Sequence, residues 1–199
     1  MSRKLFWNDL ETTGTDPRQH SIIQIACMIE EKGEVVDSFE SKMSPIPGRQ
    51  IDPKALQING LTVEEIMEYP DPREVYPEFR KFCAKHGTKG DKLNRFVPAG
   101  YNNGFDLDFL LDWHTAMDSK YAFWDYLQFQ PIDPYPVLIS LWRCGIIPTK
   151  DVKLGTVCEH FGIQIDAHEA MSDMKATREV AYRVLRDTFS GFGVKLVAF

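Results

Sequence analysis

The sequence predicts an α/β fold: a central mixed five-stranded sheet, an antiparallel meander joined by parallel strands, flanked by helices. Three observations carry that expectation. An apolar run leads into Asp9-Leu10-Glu11-Thr12-Thr13-Gly14, as a strand entering a turn would. A second run, Ile22–Ile29, is almost continuously apolar and β-branched, the mark of a strand buried on both faces. Beyond residue 50, segments with helical spacing alternate with short strand-like runs, which is how layered α/β domains read. At 199 residues and 43% hydrophobic content the chain can fill one core. The expected organisation is one domain over residues 1–190, followed by an apolar tail over 191–199.

The elements follow in order. The opening strand ends at Thr12-Thr13-Gly14, and Thr15–His20 is a polar turn. Glu31-Lys32-Gly33-Glu34 closes a hairpin between the Ile22–Ile29 strand and a more polar one, Val35–Met43, with Phe39 and Met43 on one face. Pro53–Ile58 reads as a short helix stopped by Asn59-Gly60, and Thr62 as the N-cap of Val63–Met67. Asp71-Pro72 has the cap-then-proline form of a third helix reaching Gly87. Phe96–Tyr101 is the fourth strand, with Pro98 tolerated near its start or edge. A helix over Asp106–Met117, the aromatic run Tyr121–Phe129 and a short fifth strand at Pro131–Asp133 come next. Helices over Pro136–Cys144 and Leu154–Phe161 end at Gly145 and Gly162. The longest helix, Ala170–Phe189, turns Met174, Thr177, Ala181, Val184 and Leu185 inward and takes Gly191 as its cap.

Composition narrows the function. A net charge of −6 disfavours a protein that wraps a long duplex, because phosphate contacts call for a basic surface. A site that collects acids to hold cations escapes this objection, since the cations meet the phosphate. No apolar run is long enough to span a membrane, and Met1–Lys4 leaves no room for a signal peptide before the first strand, so no membrane partner is expected. Cys27, Cys83, Cys144 and Cys158 form no C-x-x-C pair, which argues against a zinc knuckle and fits reduced thiols in a cytoplasmic protein.

Three clusters carry candidate chemistry. In a strand, residues two apart share a face, so Asp9 and Glu11 aim at one spot. Paired carboxylates repel unless a cation sits between them, and hard cations such as Mg²⁺ take such oxygen ligands. An edge strand with two solvated acids is the plainer reading of this stretch alone. Asn102-Asn103-Gly104-Phe105-Asp106 sets an acid at a helix start, where a simple cap would also serve. His168-Glu169-Ala170-Met171-Ser172-Asp173 spans a loop and the start of the last helix, letting a loop His and a helix-anchored Asp face one pocket.

Taken in this order, the clusters resemble the three motifs of the DEDDh family of 3′→5′ exonucleases, which includes proofreading subunits, ribonuclease T and oligoribonuclease. Asp9–Gly14 matches the first motif, Asn102 and Phe105-Asp106 followed by Phe109-Leu110 the second, and His168-x-Ala170-x-x-Asp173 the third. Ile51–Thr62 is similar to the family's linker segment, with Asn59 where His is commoner, and Tyr101 stands where the second motif often has His. The resemblance runs from about Lys4 to Leu185 and implies an RNase H-like fold. It implies a 3′→5′ exonuclease that hydrolyses phosphodiesters at the 3′ end of single-stranded DNA or RNA and releases nucleoside 5′-monophosphates. Two Mg²⁺ ions, replaceable by Mn²⁺, are implied as cofactors, with Asp9 between them, Glu11 and Asp173 on the first and Asp106 on the second. His168 is implied as general base. Thr12, Thr13, Gly14, Leu61, Asn102 and Phe109 are the expected substrate-binding residues.

Asp108 and Glu169 read as exposed bystanders. Lys85, Lys89, Lys92 and Arg95, with Lys150 and Lys153, are either a strand track or ordinary solvated surface. The tail Gly191–Phe199 is apolar enough to need cover. Its own domain is one source of that cover; the other is a second subunit in a homodimer, with the aromatics of Tyr121–Phe129 supplying the contact. A catalytically weak nucleic-acid-end binding module on the same fold is the alternative function, and a metal-dependent endonuclease a third.

Overall fold

The computed structural model describes residues 3–88, 91, 94–117, 126–128, 130–166 and 169–190, with side chains to residue 185. Its sheet is built outward from β1 (Lys4–Thr12), which pairs antiparallel with β2 (Ile22–Glu31); β2 in turn pairs antiparallel with β3 (Glu34–Lys42). On its other side β1 takes β4 (Val97–Ala99) in parallel, giving the order β3-β2-β1-β4. The β2–β3 hairpin turns at Lys32 (φ 55°) and Gly33 (φ 85°), both left-handed, as a tight two-residue turn requires.

Four strands, rather than five, form the sheet among the described residues. The segment expected as the fifth is reduced to one parallel bridge, Ala99 to Ile132, with Ile132 N donating to Pro98 O at 2.8 Å and Gly100 N to Ile132 O at 3.1 Å. Pro131 and Pro134 flank the bridge. Neither has an N–H to extend a ladder, so pairing stops after one residue.

The helices are α1 (Pro53–Asn59), α2 (Val63–Met67), α3 (Pro72–His86), α4 (Gly104–Met117), α5 (Tyr135–Arg143), α6 (Leu154–Phe161) and α7 (Ala170–Ser190). Local chemistry fixes their ends. Asp52 and Asp71 accept from the second amides of α1 and α3, and Thr62 with Glu65 forms a reciprocal capping box on α2. Gly60 (φ 67°) closes α1 and leads the chain straight into that box.

Strand alternation sorts the core into two layers. Phe6, Leu10, Ile25, Cys27 and Ile29 pack against α3 and α4 through Val75, Phe79, Leu107, Leu110 and Trp113. Leu5, Trp7, Ala26 and Met28 face α7, meeting Ala170, Met174 and Ala181. The expected inner stripe of α7 is buried at Met174, Thr177, Ala181 and Val184 and half-buried at Leu185. Within this second layer lies a fully buried acid, Glu30, which accepts from Trp7 Nε1 (2.8 Å), Arg178 Nε (2.6 Å) and the Tyr182 hydroxyl. Arg178 Nη2 also donates to Gly33 O at 2.9 Å, so the middle of α7 is pinned to the β2–β3 turn.

All four cysteines are free thiols, and Cys144 alone among them is exposed. No helix among the described residues is long and apolar enough to cross a membrane. The tail 191–199, Tyr121–Asp125, Phe129, Lys89 and Lys92 lie outside the described residues. Lys85 is already engaged, 2.8 Å from Asp37 on β3.

Candidate active site

β4 ends at Ala99, opposite Trp7, and β1 runs on past it. That overhang carries Asp9 and Glu11 on the face toward α7, with β2 alongside in the register Asp9–Ala26 and Glu11–Gln24. Asp173, in the first turn of α7, comes down onto the same face. Asp9, Glu11 and Asp173 each place a carboxylate oxygen within 4.8 Å of the other two. Asp106 approaches from the first turn of α4, where it is 4% exposed. Its carboxylate accepts the backbone amides of Leu10 and of Asp106 itself, so the amide that β4 is too short to pair finds an acid instead.

The electrostatics follow from this crowding. Burial, then Asp106, Asp173, Glu11 and Glu169, hold the Asp9 carboxyl well above the usual carboxylate range. Glu11, 8% exposed, is pushed up to about 7 by burial and by the charges of Asp173 and Glu169. Burial raises Asp106 as well, against the pull of its two amides. The neighbours acting on Asp9 are acids, and each shift marks a charge held without compensation. An all-carboxylate, hard-oxygen donor set of this kind fits divalent cations such as Mg²⁺ or Mn²⁺, which would relieve the repulsion on binding.

The flanking residues are placed as follows. Thr12 and Thr13 are buried: Thr12 Oγ1 donates to Gly14 O (2.7 Å) and Thr13 Oγ1 to Gln50 O (2.9 Å), so both build the turn after β1. Asn59 Nδ2 donates to Thr12 O at 3.2 Å and ties the end of α1 to this turn. Gly14 is needed for close approach by a side chain of this protein: a Cβ there would lie 2.1 Å from His20 Cδ2. Leu61 is half-buried against Ile23, Leu56 and Ile66. Asn102 is exposed with φ 54°, and its amide donates to Asp133 Oδ1 at 3.1 Å. Phe109 is 2% exposed, inside the α3–α4 core, and the ring nearer the surface is Phe105, 5.0 Å from it between centroids. Tyr101 gives its hydroxyl to Val152 O at 2.5 Å. His168 lies outside the described residues. Asp108 is exposed, as expected.

Two residues have larger parts than the sequence suggests. Glu169 caps α7 by accepting Ser172 N at 2.8 Å, and takes a longer bond, 3.3 Å, from Gln24 Nε2. Asp133 accepts the amides of Asn102, Asn103 and Tyr135 and so holds the loop that starts α4. An acid one residue before a proline is the sequence signal for such a turn-organising role, and Asp133-Pro134 has it.

Comparison with known proteins agrees with this geometry. The RNase T exonuclease family model matches residues 6–181. Among curated proteins, the chain is 26% identical over 181 residues to the PolC-type DNA polymerase III of Bacillus subtilis and 29% identical over 173 residues to that of Clostridium perfringens. These matches cover 90% and 86% of the chain, which spans only 11% and 10% of those polymerases. Among solved structures, Escherichia coli Exonuclease I in complex with a dT13 oligonucleotide superposes with a TM-score of 0.74 at 20% identity, over 96% of this chain and 42% of that one. Exonuclease I of Methylocaldum szegediense gives 0.69 at 22% identity, over 93% and 40%. The mixed sheet and its helical layers thus share the fold of Exonuclease I over the matched part. With the match reaching from the first strand into the last helix, the chain belongs to the RNase T exonuclease family.

Proposed function

We propose that this chain is a divalent-metal-dependent 3′→5′ exonuclease that hydrolyses the terminal phosphodiester of a single strand and releases nucleoside 5′-monophosphates. The observation that carries the reading is the convergence of Asp9, Glu11 and Asp173 within 4.8 Å of one another. Asp9, Glu11, Asp106 and Asp173 would hold two Mg²⁺ or Mn²⁺ ions. When bound, such ions neutralise charge on the phosphate and lower the pKa of water. The protein's own part is to keep four acids close together before any ion arrives, on two strand positions and two helix starts. His168 takes the proton from the attacking water. In the chain it directly precedes Glu169, the cap of α7.

The turn Thr12–Gly14, together with Leu61, Asn102 and the Phe105–Phe109 pair, is the candidate seat of the terminal nucleotide. Phe109 acts there from below, as the packing partner that holds Phe105. Single-stranded DNA is the first substrate to test, because the similar fold of E. coli Exonuclease I holds dT13. Matched DNA and RNA strands labelled at the 5′ end, incubated with Mg²⁺, should shorten one nucleotide at a time. Excess EDTA or Asp9→Asn should stop the ladder. Activity that survives both would refute the reading.

A further inference from the structure

Asp9 and Asp106 come from different elements, β1 and α4, and something must set the distance between them. The residues on either side of Asp9 in the chain are both tied to the start of α4. Leu10 gives its amide to the Asp106 carboxylate. Asn8 accepts from Asn103 Nδ2 at 3.1 Å. Asn8 and Asn103 are 1% and 0% exposed, and Asn103 O receives Leu107 N at 3.0 Å, which makes Asn103 the cap of α4. Asp133 Oδ2 accepts Asn103 N from behind at 3.0 Å. Gly100 clears the space: a Cβ there would stand 2.2 Å from Asn103 Nδ2 and 3.0 Å from Asn8 O.

As a source of stability this amide pair is poor. Among the described residues, Asn8 Nδ2 and Asn103 Oδ1 take no hydrogen bond. A buried polar atom left without a partner is unfavourable, and two leucines of the same branched shape would avoid the loss. What two leucines could not supply is a directional link between strand and helix. We propose that Asn8 and Asn103 are positioning residues, one arm of a two-point clamp that fixes the separation of the Asp9 and Asp106 carboxylates.

The clamp is made of protein groups alone, so it can be tested apart from the reading of the site as an exonuclease, on which its catalytic consequence rests. The variants are Asn8→Leu, Asn103→Leu and the double N8L/N103L. Each single change strands one amide and should lower the melting temperature in EDTA, and the double should regain it. In the double variant the Leu10 amide should exchange with solvent at least tenfold faster in EDTA. Its kcat with Mg²⁺ should fall at least tenfold, at little cost in KM. Should the leucine pair fail to fold, Asn103→Ser leaves the backbone carbonyl that receives Leu107 N but its side chain cannot reach Asn8, and the same exchange and rate changes are expected. An unchanged Leu10 exchange rate overturns the clamp whatever the activity. So does a loss of kcat that tracks the melting temperature across the variants. Faster Leu10 exchange in a protein whose wild type degrades no strand supports the clamp and refutes the exonuclease reading instead.

Discussion

The acid cluster makes a prediction about stability that is independent of turnover: Glu11→Gln should stabilise the metal-free protein, and only at neutral to alkaline pH. Folding pushes the Glu11 carboxyl from its ordinary 4.5 up to about 7. A group with a raised pKa binds its proton more tightly in the folded state. Its contribution is therefore fully present below pH 4.5 and is lost as pH rises through 7. That rise corresponds to about 3 kcal/mol against the ionised folded form at about pH 8, and to under about 1 kcal/mol at about pH 5. Glutamine keeps the shape and carries no charge, so the variant should gain about 3 kcal/mol over wild type at about pH 8. For a domain of this size that is roughly 6–12 °C in melting temperature. Melting or urea curves in EDTA, taken at steps between acid and mildly alkaline pH, measure it. A variant less stable than wild type on the alkaline side, or a gap that does not change with pH, would refute the reasoning. Added Mg²⁺ should narrow the gap, because wild type gains about 2.7 kcal/mol at roughly a hundred times its dissociation constant and the variant gains less.

Further outcomes are expected. His168→Ala should slow hydrolysis roughly 10²–10⁴-fold while metal affinity, read by Mn²⁺ titration, stays near wild type; a parallel loss of binding would make His168 a ligand. Gly14→Ala should cost about 1–3 kcal/mol in urea unfolding, because the His20 ring already occupies the space of the new methyl, and His20→Gly in the same chain should recover most of it. Arg178→Leu should cost about 3 kcal/mol, the low end for breaking a buried pair, since Trp7 and Tyr182 still donate to Glu30. Adding Glu30→Gln to that variant should return part of the loss.

What the sequence discloses is what local rules govern. Asp9 and Glu11 share a face because strands alternate, and Thr62, Asp71 and Gly60 stop or start helices through bonds within a few residues. The acid at position 106 reads as a helix start from its neighbours alone, and so it is. Long-range pairing is hidden. Glu30 sits at the end of an apolar run beside a turn and looks solvated, yet its partner Arg178 is 148 residues away. The Gly14–His20 contact is hidden for a different reason: glycine before a polar turn predicts backbone freedom, whereas the fold uses its missing side chain. The fifth strand fails because periodicity in Pro131–Asp133 says nothing of how many amides remain to pair. Phe109 keeps its motif position and shares a face of α4 with Phe105 one turn earlier, but tertiary packing covers Phe109 and leaves Phe105 half-buried, which four-residue spacing alone does not disclose.

The pin between Glu30 and Arg178 also has a mechanical reading. Helix α7 is a rod of 21 residues whose working end carries Asp173. Arg178 lies five residues further along, so at about 1.5 Å per residue the fulcrum stands about 7.5 Å from that carboxylate's backbone. A rocking of the rod by about 5° around this point moves Asp173 by about 0.7 Å. The same rocking about a fulcrum at Ser190, the far end, would move it by about 2 Å. Sites of this kind work when their groups are held to about 0.5 Å. The short lever thus keeps the displacement near that limit, where the far fulcrum would exceed it about fourfold.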